Sequence, residues 1–467
     1  LKDVLAKAGV KAGAVEVVFD GGPITPNDAF FVRYHLSEIP KEIDPDAFRL
    51  EIDGKVGKPL SLSLKELRAL PAAEIVAVNQ CSGNSRAFFE PRVAGGQLGN
   101  GAMGNARWKG VSLKTVLDRA GVQAGAKQAV LQGLDKPPTA ATPDFAKALD
   151  IDHARDGEVM LAWAMNGADL PWLNGYPLRV VVPGYYGTYW MKHVNQITVI
   201  DTVLDNFWMK TAYRIPDNEC ACVPPGGKPD KTVPIARLDV RSFITNLADG
   251  AKLKAGAATM VRGIAFDGGH GIKEVELSSD GGKTWKATQL GATSASTRSG
   301  RGRPRSSSRP APLHSWCERP AGAARSSRWS RGGTRRATCA TSSRPSTSRP
   351  PDGGGTMSHP MIKRSLGLAG VLTLALAAGM AAAVLAKPVT YTTPPDSSTL
   401  KQAPAPGYAK TEALCATCHS RDYITTQPPH KGKDFWTAEV IKMVNVYGAP
   451  VPEPDRAAIA EYLAATY

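Results

Sequence analysis

The stretch Asn79-Gln80-Cys81-Ser82-Gly83-Asn84-Ser85-Arg86 follows an apolar run, Ile75–Val78, and sets a lone cysteine among polar and glycine residues. That pattern predicts a thiol at the exposed end of a strand, where it can ligate a metal as its thiolate or lie inert and buried. Immediately outward, Gly101-Ala102-Met103-Gly104-Asn105-Ala106-Arg107-Trp108-Lys109-Gly110-Val111 supplies a second run of small residues closing on a tryptophan and basic side chains. Around both, from Phe19 to Ala236, short Val/Ile/Leu runs alternate with Gly/Pro/Asn/Asp punctuation. Helical patterns are brief there, Ser63–Leu70 and Ser112–Ala120, so this region reads as α+β.

From Arg237 to Leu290 the character changes to alternating stretches, Thr259–Ile264 and Lys273–Leu277, separated by Asp-Gly turns, as in hairpins. About five strands fit there, fewer than an immunoglobulin-like sandwich needs. The tract between Gly291 and Gly355 holds 13 Arg, no Lys and two acids, a net +11 out of the chain's +15. The overall charge therefore does not imply a nucleic-acid or membrane surface for the rest of the chain, and no nucleic acid is expected as a partner. With almost no aliphatic periodicity, this Arg/Ser/Pro tract is expected to be disordered. An arginine-rich RNA or membrane segment is one alternative. A frame error is another, because Gly333–Arg344 read in the neighbouring frame with GC-rich codons becomes a sensible strand-and-turn sequence.

After Met357 and Met361 come Lys363 and Arg364, an apolar stretch from Leu366 to Leu385, and small residues ending at Ala386. This is the layout of a secretory signal, with a membrane-spanning helix as the alternative. An export signal inside a polypeptide points to two products joined in one chain and to a periplasmic destination, with no stable membrane role beyond that segment. At the other end, Leu1–Ala14 repeats Leu113–Ala126 at ten of fourteen positions, which reads as a misplaced or duplicated helix-turn fragment over residues 1–21.

Cys415-Ala-Thr-Cys418-His419 is a complete C-x-x-C-H: two thiols for thioether bonds to haem c and an adjacent imidazole for its iron. Met443 is the expected sixth ligand and His430 its competitor. Residues 387–467 read as an all-α cytochrome c domain, in which Lys401–Tyr467 is about the size of a minimal cytochrome c and ends in a helix, Glu453–Tyr467. Of the seven cysteines, the others show no dense disulfide spacing.

Taken together, the Cys81 segment, Phe30-Phe31-Val32-Arg33-Tyr34-His35, the Gly101–Val111 run, Val182-Pro183-Gly184-Tyr185-Tyr186-Gly187, Trp190-Met191-Lys192-His193 and Lys210-Thr211-Ala212-Tyr213-Arg214 closely resemble the sulfite oxidase family, in its bacterial sulfite dehydrogenase branch. The resemblance covers roughly Gly22 to Leu290. It implies a molybdopterin-binding catalytic domain over 22–236 and a partial immunoglobulin-like dimerisation domain over 237–290, followed by the 291–356 tract, the 357–386 signal-like segment and the cytochrome.

On this likeness Cys81 is the protein thiolate on molybdenum, completing a shell of pterin dithiolene and oxo groups. Arg33 and Arg86 clamp the sulfite dianion, Tyr213 hydrogen-bonds and moves a proton, and Trp108 walls the anion pocket. Arg179, Gly184, Gly187, Lys192 and His193 hold the pterin and its phosphate, and His35 lies near the electron exit. The implied activity is oxidation of sulfite to sulfate at a molybdenum–molybdopterin centre, with electrons passing through the haem to a cytochrome c acceptor. A reductive family member, such as a sulfoxide reductase, is the nearest rival, and an electron carrier or inert fusion product is the rival from another class. Neither a cytochrome b5-like unit nor a flavin or nicotinamide module is evident, which argues against the animal oxidase and nitrate reductase branches. A sandwich cut short leaves unpaired edges, so the homodimer is expected to be weakened.

Overall fold

The computed structural model describes residues 24–291 except 219, 225, 226, 249, 256 and 270, then the backbone of 327–329 and 335–340, then 388–467 except 394, 404 and 405. The readings made for residues 1–21, for the signal-like segment and for most of the Arg/Ser/Pro tract fall outside these residues.

The strands in chain order are β1 (Glu42–Ile43), β2 (Arg49–Gly54), β3 (Leu60–Ser63), β4 (Ala72–Gln80), β5 (Met103–Ser112), β6 (Gln128–Gly133), β7 (Ala146–Asp150), β8 (Met160–Met165), β9 (Ala168–Asp169), β10 (Arg179–Val181) and β11 (Val194–Ile200). β2 to β11 form two five-stranded sheets. One runs β10-β8-β5-β4 with β9 paired to β8, antiparallel throughout; the other runs β3-β2-β11-β6-β7, antiparallel except for the parallel pair β2/β11. The β4/β5 ladder is unbroken from Ala72↔Val111 to Gln80↔Met103.

Helix Leu113–Ala120 shows why this sequence packs as it does. Leu113, Val116, Leu117 and Ala120 recur on one face, all are essentially inaccessible, and Gly121 ends the helix in the left-handed region at φ 69°. The shorter helix Leu64–Arg68 starts on a capping box in which Ser63 and Glu66 satisfy one another's backbone donors. Both helices lie inside the stretches that the sequence pattern marks. Leu50, Ile52, Leu67, Leu131, Leu161, Met165 and Leu178 fill a core shared by the sheets and helices.

Beyond it come β12 (Arg214–Pro216), β13 (Thr232–Pro234), β14 (Arg241–Ile244), β15 (Gly263–Phe266), β16 (Ile272–Ser278) and β17 (Lys286–Ala287). β12 pairs β13, β14 pairs β15, and β16 pairs β17. Four strands thus stand in 237–290 among the described residues, against the five expected. Two further strands, β18 (Ser327–Trp329) and β19 (Arg335–Ala340), fall within the tract from which no element is expected, and β19 runs parallel to β16. Hydrogen bonding between backbones needs no apolar periodicity, which is why the composition gives no sign of them.

The C-terminal unit has helices Pro406–Cys415, Asp422–Thr425, Gly432–Tyr447 and Glu453–Thr466 around a small core of its own, including Leu400, Ile424, Trp436, Ile459 and Leu463. Its leading residues join the first domain: β20 (Val389–Thr390) pairs with β1, and the Tyr391 ring stacks on Trp172. Among the described residues no helix is long and apolar enough to cross a membrane.

Truncating Leu117 to alanine removes buried packing at the centre of the main core and is expected to cost about 2–5 kcal/mol, whereas Lys114→Ala on the exposed side of the same helix costs less than about 0.5 kcal/mol. Urea unfolding followed by tryptophan fluorescence measures both.

Candidate active site

Cys81 directly follows β4. Its N–H donates to Ala102 O at 2.9 Å, extending the ladder by one step, and its Sγ accepts from Gly83 N–H at 3.4 Å. The thiol therefore sits at a fixed point where the strand pair gives way to a loop. It lines a cavity of ≈ 680 Å³, counting the open mouth, whose walls also carry Arg33, Asn79, Asp135, Arg179, Lys192 and Tyr213.

The electrostatics of this wall are dominated by buried cations. Arg179, 2% exposed on β10, donates from Nη1 to Asn174 O at 2.8 Å and lies over the Trp108 ring, 4.8 Å from its centroid. Burial lowers its pKa to about 9, opposed by Tyr34. Lys192 is driven well below the ordinary lysine value by burial and then by the neighbouring Arg179, with Asp135 opposing. Its Nζ donates to Arg33 O at 2.5 Å and lies 3.1 Å from the Tyr34 ring centroid. The single carboxyl of the wall, Asp135, is raised to about 6 by burial, against the pull of Lys192. Three cations facing one carboxyl form a donor set for anionic groups.

Two buried atoms have no protein partner here, Arg179 Nε and Asn79 Oδ1. A Cβ at Gly187 would lie 2.4 Å from Asn79 Oδ1, so the glycine lets the backbone of 187 approach the thiol-bearing strand. A thiol, an unpaired donor on Arg179, an unpaired acceptor on Asn79 and a glycine-lined approach fit a molybdenum–pterin group.

His193 lies under the wall with both ring nitrogens engaged. Nδ1 is 2.5 Å from Tyr176 O and Nε2 is 2.7 Å from Tyr34 OH, which a neutral imidazole satisfies by donating from Nδ1 and accepting at Nε2. Burial lowers its pKa to about 3. His35 stacks on Phe145 at 3.7 Å and is likewise held neutral, first by burial and then by Arg33. Tyr213, at φ 56°, closes the wall, and burial raises its phenol well above the usual value.

Of the residues expected from the sequence, Cys81, Arg33, Tyr213, Arg179, Gly187, Lys192 and His35 come together at this cavity. Arg86 does not line it: its guanidinium is tucked into the loop beside Gly83 and Gly95 and donates to Gly96 O at 3.3 Å. Trp108 is corrected from wall to foundation. It is fully buried, donates to Ala77 O at 3.1 Å and stands behind Arg179, because its place on β5 points it into the core. Gly184 also serves packing: at φ 75° its Cβ would lie 2.8 Å from the Gly268 carbonyl. Tyr34, Asn79 and Asp135 escaped the sequence reading. Asn79 and Tyr34 stand inside the quoted motifs, whereas nothing local marks Asp135, which arrives from beyond the end of β6.

In the C-terminal unit Cys415 ends a helix, and Cys415 and Cys418 are free thiols. Burial raises Cys415 to about 11. His419 has Nδ1 2.8 Å from Ser420 O, and a proton there leaves Nε2 able to bind a metal. Met443 is half-buried within helix Gly432–Tyr447, five residues before the capping Gly448, and His430 is exposed at φ 58°. Apart from this motif, Cys220 and Cys222 form a disulfide.

Residues 35–208 match the oxidoreductase molybdopterin binding domain, and residues 232–319 match the Mo-co oxidoreductase dimerisation domain. Mitochondrial sulfite oxidase of Homo sapiens is 37% identical over 279 residues, covering 57% of this chain and 49% of that protein. Sulfite oxidase of Arabidopsis thaliana is 30% identical over 278 residues, covering 56% of this chain and 69% of that one. Among solved structures, the sulfane dehydrogenase SoxCD of Paracoccus pantotrophus matches with a TM-score of 0.49 and 27% identity, over 59% of this chain and 66% of that one. The chain belongs to the sulfite oxidase family. It spans about half the length of the mitochondrial relatives it matches.

The His193 imidazole binds a proton near pH 6.5 when unfolded and only near pH 3 when folded, so its contribution to stability is full above 6.5 and is lost as pH falls toward 3. Unfolding midpoints between pH 7 and 4 are expected to drop less steeply for His193→Gln than for the native chain, the difference being at most about 1.4 kcal/mol per pH unit.

Proposed function

We propose that this chain oxidises sulfite to sulfate at a molybdenum–molybdopterin centre held by Cys81 and passes the electrons through a haem c bound by Cys415, Cys418 and His419, with Met443 as the second axial ligand, to a cytochrome c acceptor in the periplasm. The observation that carries this reading is the placement of the Cys81 thiol in one wall with Arg33, Arg179 and Lys192. Sulfite is a small dianion, and that wall concentrates positive charge with a single carboxyl to oppose it. Relatives named sulfite oxidase support the substrate, and the dimerisation-domain match supports a homodimer. The haem and the compartment rest on the C-x-x-C-H motif and the signal-like segment.

The overall conversion is sulfite plus water to sulfate, two protons and two electrons. When bound, the molybdenum–pterin group supplies the two-electron acceptor and the oxygen-transfer chemistry. Arg33, at the mouth, binds and orients the anion's oxygens by charge-assisted hydrogen bonds. Tyr213, kept protonated by burial, donates its phenolic hydrogen toward the anion and holds it against the thiol-bearing wall. Arg179 and Lys192, both deeper, suit the phosphate of a pterin, Arg179 through its free Nε. Phe30, Phe31 and Phe145 exclude water from the remaining surface.

Cys81→Ser is expected to abolish sulfite-dependent cytochrome c reduction while leaving the haem absorption spectrum intact. Retained turnover in that variant overturns the assignment. Cys415→Ala gives the complementary result, loss of the spectrum at an unchanged molybdenum content.

A further inference from the structure

We propose that Tyr423, carried by the C-terminal unit, is a positioning residue for Arg33, so that the anion site beside Cys81 is completed by the same segment that bears the Cys-x-x-Cys-His motif. The inference rests on the sulfite reading above and adds a residue that lies outside the catalytic domain.

Arg33 is held at two points. Its backbone carbonyl accepts from Lys192 Nζ at 2.5 Å, which fixes where the side chain starts. Its guanidinium donates from Nη1 to the Tyr423 hydroxyl and stands over the Tyr423 ring, with Cζ 4.5 Å from the centroid. Arg33 itself is exposed at the cavity mouth, so without the tyrosine its long side chain has solvent to explore. A hydrogen bond and a cation–π contact at the same ring restrict it to one direction.

Tyr423 is in turn fixed by both units. It belongs to helix Asp422–Thr425, whose Ile424 is buried in the C-terminal core. The loop of the catalytic domain clamps this helix from the other side. Gln97 N–H donates to Thr426 O at 2.8 Å, Gly95 N–H donates to Gln427 Oε1 at 2.9 Å, and Gln427 Nε2 returns a bond to Tyr423 O at 2.9 Å. Lys431 Nζ adds a bond to Arg92 O at 2.6 Å. The same loop packs against the Arg86 guanidinium. Tyr423 also contacts His419, ring centroids 4.8 Å apart, so one tyrosine touches both the arginine of the cavity and the histidine of the motif.

The test is calorimetric titration of inorganic sulfate into the full chain loaded with both cofactors. Tyr423→Phe is expected to weaken sulfate binding about five- to tenfold, the loss of one hydrogen bond to a charged group, with the sulfite KM rising in parallel. In an Arg33→Gln background the same substitution is expected to change the sulfate Kd less than about twofold, a coupling that a general loosening of the interface does not produce. An unchanged Kd in Tyr423→Phe, or an equal loss in both backgrounds, overturns the proposal. If Tyr423→Phe loses either cofactor, Gln427→Ala carries the same test, because it leaves the phenol in place and releases the clamp; an unchanged Kd there has the same meaning. A native chain that neither binds sulfate nor oxidises sulfite overturns the sulfite reading itself and this proposal with it, an outcome distinct from a normal native chain with an indifferent variant.

Discussion

Positive charge buried around one thiol is the constraint on which the rest of the molecule depends. Taking Arg179 and Lys192 out of water is unfavourable, and the depressed pKa of each records that penalty. The fold bears it by fastening each cation to carbonyl oxygens and aromatic faces: Arg179 to Asn174 O and Trp108, Lys192 to Arg33 O and Tyr34. The two sheets and the buried Trp108 between them exist, from the site's viewpoint, to hold those partners still. The cationic wall is thereby preorganised, its side chains held in place by the fold itself.

The scaffold explains the precision of the thiol. Nine paired residues lock β4 to β5, and the hydrogen bond from Cys81 N–H to Ala102 O carries that register one residue further. A slip of one residue would turn Cys81 to the opposite face of the strand. Gly187, approaching the same strand end, brings the loop after β10 close enough for its neighbours to share the cavity.

Much of this was legible in the residue pattern because it is local. The i, i+3, i+4, i+7 spacing of Leu113, Val116, Leu117 and Ala120 marks a helix face without tertiary knowledge, and an apolar run broken by Asn-Gln-Cys marks a strand end. Side-chain direction was not legible. Arg107 and Trp108 are neighbours on β5 and point to opposite faces, and it is Trp108 that faces the core. Arg86 is expected as a clamp only from the family resemblance, yet the left-handed Ser85 at φ 72° precedes a turn that carries it into its own loop. Asp135 and Tyr423 reach the site from 54 and 342 positions away from Cys81, distances over which only tertiary packing decides.

The C-terminal unit, with a small core of its own, meets the first domain at several separate points. β20 adds to β1, Tyr391 stacks on Trp172, Thr142 donates to Tyr447 O at 2.5 Å, and Tyr423 meets Arg33. These contacts set the Cys415–His419 motif beside the mouth of the cavity rather than on a remote surface. The measurement closest to the central claim is molybdenum K-edge X-ray absorption of the purified full chain beside its Cys81→Ser variant. A first shell with one fewer sulfur in the variant is the predicted result; an identical sulfur count, or no molybdenum in the native protein, contradicts it.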